Sequence, residues 1–137
     1  MKNIVDLIGR IFMSVIFFYE AFDTIFYFEE TRATLSKLGV MWHQDLQLYT
    51  AIVVLSLGAT LVLTGYRTGL GVIMLLIYWI PATFLVYDFW NFPDPERRMA
   101  GFMFMKNLAI MGGLLLLWVN GSQRFSIRKI LATTKVR

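Results

Sequence analysis

Cysteine is absent from the 137-residue chain, histidine occurs once, at His43, and only 16% of residues are charged. Without cysteine there is no disulfide relay, iron–sulfur cluster, thiolate zinc site or cysteine nucleophile. A single histidine excludes a bis-histidine haem or a multi-histidine metal centre within one chain, so no metal site is expected. The shortage of charge matters most. A soluble domain carries about 25% charged residues, whereas this chain is 58% hydrophobic. So short a chain cannot hide that excess in one aqueous core, which excludes a soluble enzyme. The net charge of +4 does not argue for nucleic acid as a partner, because the basic residues flank apolar runs instead of forming a basic face.

The apolar residues are gathered into four stretches, 4–28, 46–63, 70–87 and 102–119. A membrane helix needs about 20 mostly apolar residues, with a working range of roughly 17–25. The second and third stretches contain no charge at all, and none alternates as a strand would. The expected fold class is all-α: a polytopic membrane protein whose residues 1–121 form a four-transmembrane-helix bundle, followed by a basic juxtamembrane tail at 122–137. The first stretch carries Arg10, Glu20 and Asp23 and lacks a small-residue cleavage site, unlike a removable signal peptide.

Connections follow from local chemistry. Gly65-Tyr66-Arg67-Thr68-Gly69 reads as a tight turn between antiparallel helices. Asn91-Phe92-Pro93-Asp94-Pro95 ends the third crossing, because proline cannot continue a helix. Residues 31–39 resemble a short helix with Thr31 as its cap and Gly39 as its stop. With the N-terminus inside, Lys2, Arg10, Arg67, Arg124, Arg128, Lys129, Lys135 and Arg137 fall on the inner face, against Arg32, Lys37, Arg97 and Arg98 outside. That bias predicts both termini in the cytoplasm. The tail reads as an anchor to anionic lipid.

Ionisable groups within a crossing cost roughly 2.5–3.5 kcal/mol each on insertion scales, so they persist when paired, hydrated or functional. Asp6 and Arg10 are spaced i, i+4 and read as a structural ion pair, with Arg10 able to snorkel to the headgroups. Glu20, Asp23 and Tyr27 share one helical face with Met13 and Ile16, which predicts that this face points into the bundle. Counting residues inward from the outer ends of the first and fourth helices puts Lys106 at the depth of these carboxylates. The expectation is an intramembrane polar cluster of Glu20, Asp23, Tyr27, Lys106 and Asn107. Such a cluster suits proton exchange with a membrane quinone, and it equally suits a clasp between two helices; both readings stay open. Trp42 and His43 are further candidate ligand contacts beside Glu20 and Lys106, although Trp42 also sits where an interfacial belt residue belongs. Pro81 is expected to kink the third crossing.

The Leu-Gly-Ala-Thr-Leu-Val-Leu-Thr-Gly segment at 57–65, the Lys106-Asn107-Leu-Ala-Ile-Met-Gly-Gly-Leu-Leu segment at 106–115 and the early Arg10 resemble the DoxX family, and the Glu20–Asp23 and Trp42–Asp45 stretches resemble the form found in Bacteroidetes-type members. The resemblance runs from about Val5 to Gly121. It implies a four-helix protein of the bacterial inner (cytoplasmic) membrane, with some relatives linked to quinone-dependent oxidation of sulfur compounds or to oxidative-stress complexes. Carry-over falls on Arg10, Lys106 and Asn107. Where many members have Gly-x-x-Lys in the first helix, this chain has Glu20-Ala21-Phe22-Asp23. Two functions follow as expectations. One is a quinone-interacting or redox-complex-associated membrane subunit, in which Glu20 exchanges a proton and Lys106 holds a quinone carbonyl. The other is a non-catalytic structural subunit or assembly factor. No haem, flavin or metal motif is visible, so quinone is the only cofactor suggested. The expected partners are the lipid bilayer and other membrane subunits or further copies of the chain.

Overall fold

The computed structural model describes residues 2–121; the expected basic anchor at 122–137 lies outside the described residues. Five helices follow in order: α1 Lys2–Phe26, α2 Phe28–Lys37, α3 Gln44–Thr64, α4 Thr68–Val86 and α5 Glu96–Asn120. α3, α4 and α5 are each long and apolar enough to cross a membrane. α1 is equally long at 25 residues, but Lys2, Asp6, Arg10, Glu20 and Asp23 set it apart from these three candidate spans. The four-crossing expectation is therefore met for three helices on length and composition alone.

α1 packs along α3, α3 along α4 and α4 along α5, whereas α1 and α5 touch only sparsely. The shared core is made of Phe17 and Ala21 from α1, Leu55, Ala59 and Val62 from α3, Val72, Leu75 and Trp79 from α4, and Met111 and Leu114 from α5. These positions recur at helical spacing, so each helix presents one stripe to the centre. The tightest approach is between α3 and α4. A Cβ placed on Gly71 would lie 2.8 Å from the Gly58 carbonyl oxygen, so glycine is what lets the two backbones meet. The turn between these helices opens on Gly65, whose φ of 64° is left-handed and costs glycine little.

Two local expectations need correction. The short helix expected at 31–39 is α2, and it begins at Phe28 rather than at a Thr31 cap. The chain breaks only at Tyr27, and the Thr31 hydroxyl donates to the Tyr27 carbonyl at 2.9 Å from inside the helix. α1 correspondingly ends at Phe26 instead of running through Phe28. α2 is fastened to the start of α3 by Arg32, whose Nε lies 3.3 Å from Asp45, and by the Phe28 and Tyr49 rings at 5.1 Å. Pro81 sits on an exposed face inside α4, which stays helical from Thr68 to Val86.

Candidate functional site

α1 carries charge near both ends, and the two ends are treated differently. At one end Arg10 is completely buried. Its Nε lies 3.2 Å from Asp6 Oδ2, one turn back on the same helix. Its Nη1 donates to the Leu63 carbonyl at 3.3 Å, near the end of α3. Arg10 therefore does not snorkel. The guanidinium fork reaches a carboxylate and a backbone carbonyl at once, which suits arginine to a buried position. One turn further along, the Ser14 hydroxyl donates to the Ala59 carbonyl at 3.1 Å and ties α1 to α3 again.

Toward the other end lie Glu20 and Asp23, both half-buried. Met13 marks the face they share: its Sδ and Cε are what a Cβ on Gly113 of α5 would meet at 3.2–3.3 Å. Glu20 is seven residues beyond Met13, which is two turns, about 10.5 Å, with a rotation of only about 20°. Lys106 stands in the same relation to Gly113, seven residues back along the antiparallel α5. Both side chains thus start from backbone positions facing the seam between α1 and α5. They do not meet across it.

Lys106 is exposed, and its Nζ lies 4.8 Å from the ring centroid of Phe102, one turn toward the start of α5. Helical side chains lean toward the N-terminus. On α5 that direction leads along the helix toward Phe102. Among the described residues, neither Glu20, Asp23 nor Lys106 forms an ion pair. The expected five-residue cluster is therefore not assembled within the chain. Depth along the axis matched, but the sparse packing of α1 on α5 leaves the seam too open for contact.

The other members go elsewhere. Asn107 Nδ2 donates to the Thr83 hydroxyl of α4 at 3.1 Å, and that hydroxyl donates to the Trp79 carbonyl at 2.7 Å. Tyr27 is exposed at the break between α1 and α2. Trp42 and His43 lie on the exposed loop before α3, where their rings meet each other at 4.7 Å. His43 holds a left-handed φ of 43°. The structure does not bring this pair to Glu20 or Lys106.

Two tyrosines stand near Glu20. Its carboxyl lies close enough to Tyr78 and Tyr87 of α4 to act on both phenols electrostatically. Trp79, only 6% exposed, packs edge-on against Phe17 with ring centroids 5.0 Å apart. Its indole N–H is buried without a hydrogen-bond partner among the described residues. A buried donor left unmade is costly. Three aromatics at 78, 79 and 87 do not share one helical face, so no periodic signal announced them.

A helical bundle with three candidate spans and unpaired polar groups along one seam defines a multi-pass α-helical membrane protein. More particularly, the chain belongs to the DoxX family, whose sequence model matches residues 5–88. That match covers α1 to α4 and stops short of the Lys106-Asn107 segment, so the carry-over at those two positions does not rest on it. The chain is also similar to inner membrane protein YqjF of Escherichia coli (strain K12), 28% identical over 135 residues, covering 96% of this chain and 97% of that protein. No solved structure matches. The protein is a multi-pass protein of the bacterial inner membrane.

Proposed function

We propose that α1 is a fourth crossing, that both termini are cytoplasmic, and that the protein is a quinone-interacting membrane subunit working at the Glu20 side of the bundle. The α1 charges are compatible with a crossing. Arg10 and Asp6 neutralise each other, and Glu20 and Asp23 face a seam instead of the outer flank of the helix. The single observation that carries the functional reading is that Glu20 has no ion-pair or hydrogen-bond partner for its carboxyl among the described residues. A helix clasp would have consumed that charge, so its availability favours a ligand site over the structural reading.

The residues fit a quinone in kind. Glu20 can hold or release a proton, and the Trp79 N–H, buried without a partner among the described residues, is a donor for a carbonyl oxygen. A quinone, when bound, supplies the redox chemistry that no side chain of this protein can. The electrons then come from a partner or a soluble donor. Native mass spectrometry of protein gently released from its own membrane tests this reading. The expected result is a retained mass equal to the host menaquinone or ubiquinone, lost in Glu20→Gln while the variant still folds. Stoichiometric partner chains with no quinone would instead make it a structural subunit or assembly factor.

A further inference from the structure

The open part of the α1/α5 seam has walls of opposite charge. Asp23 lies on one wall, at the outer side of Glu20, and is half-buried with no ion-pair or hydrogen-bond partner for its carboxylate among the described residues. Lys106 lies on the other wall, exposed, with only the Phe102 ring against its ammonium. Below them the seam narrows to the Met13–Gly113 contact. Exposed apolar side chains lie one turn from these charges, Phe102 before Lys106 on α5 and Phe26 after Asp23 on α1. The carboxylates on one wall and the ammonium on the other have no ion-pair partner among the described residues.

We propose that this seam binds the headgroup of a phosphatidylethanolamine molecule at the Glu20 end of the bundle. The lipid's primary ammonium would sit against Asp23 and its phosphate against Lys106. Its acyl chains would run down the exposed apolar flank of α5 toward Gly112, around which a Cβ would meet nothing within 4 Å. A zwitterion supplies both missing partners at once, in the order in which the walls present them. An anionic headgroup such as phosphatidylglycerol satisfies Lys106 and leaves Asp23 facing a second negative charge. The proposal goes beyond the quinone reading and does not depend on it, since it rests on Asp23 and Lys106 and not on Glu20.

The test is native mass spectrometry of the full chain in detergent micelles doped with equal amounts of phosphatidylethanolamine and phosphatidylglycerol. The wild type is expected to retain phosphatidylethanolamine about tenfold more than phosphatidylglycerol. Asp23→Asn and Lys106→Met should each reduce that preference at least fivefold. Lys106→Arg should keep it, and Lys37→Ala, on α2, should leave it unchanged. Should Asp23→Asn not fold, the Lys106 pair of variants decides alone. Equal retention of both lipids, or an undiminished preference in Lys106→Met, overturns the proposal. Quinone is read at its own mass in the same spectra, so failure of either reading shows independently of the other.

Discussion

The two ends of α1 hold similar groups and reach opposite outcomes. At the Arg10 end, acid and base are one turn apart on a single helix, and packing against α3 buries the guanidinium completely. At the Glu20 end, acid and base stand on different helices across a sparsely packed seam, and no pair forms. What separates them is where the partner comes from. An i, i+4 spacing brings two side chains together whenever the helix forms. An interhelical pair also needs the two axes close at that height, which only the packing of the whole bundle decides. The closed end therefore reads as structure and the open end as a place for something else.

The largest expected effect lies at the closed end. Arg10→Met strands Asp6 in a buried setting and should cost about 3–5 kcal/mol of stability; unfolding in detergent against increasing SDS measures it. Partial recovery in Asp6→Asn, Arg10→Met would confirm that the stranded carboxylate is the cause. Gly71→Ala comes next. Its new Cβ meets backbone oxygen, which cannot swing aside as a side chain does, so a loss of about 1–3 kcal/mol is expected in the same assay. Asn107→Leu removes one interhelical hydrogen bond to Thr83 and should cost about 0.6 kcal/mol, the average for such bonds in membranes. Glu20→Gln should be smallest, within about 0.5 kcal/mol, because the carboxyl has no partner to lose. A large loss there would mean that the open end is structural after all.

Much of this architecture was legible in the sequence, for reasons that also explain the misses. The apolar runs gave both ends of α3 and α4 and the last residues of α5 closely, because hydrophobic length is a property of the chain itself, whereas α5 begins at Glu96, ahead of the apolar run at 102–119. Helical rotation is fixed, and of the face expected from Met13, Ile16, Glu20, Asp23 and Tyr27 the first four are partly buried, whereas Tyr27 is exposed because α1 ends at Phe26. The Lys106 contact was not legible. Matching depths leave lateral separation undetermined, and the lysine ammonium lies against the Phe102 ring of its own helix. Nor could the α2 start be read from Thr31, since a threonine hydroxyl serves equally well inside a helix by donating to the carbonyl four residues back.

A pair of double-mutant cycles tests the central contrast most directly, with stability measured in lipid-free detergent. For Asp6→Asn with Arg10→Met the account predicts coupling within the range of about 0.5–3 kcal/mol found for side chains in contact. For Glu20→Gln with Lys106→Met it predicts additivity within about 0.3–0.5 kcal/mol, as for residues that do not touch. Coupling of about 1 kcal/mol or more between Glu20 and Lys106 would contradict it, because the two charges would then already be spent on each other.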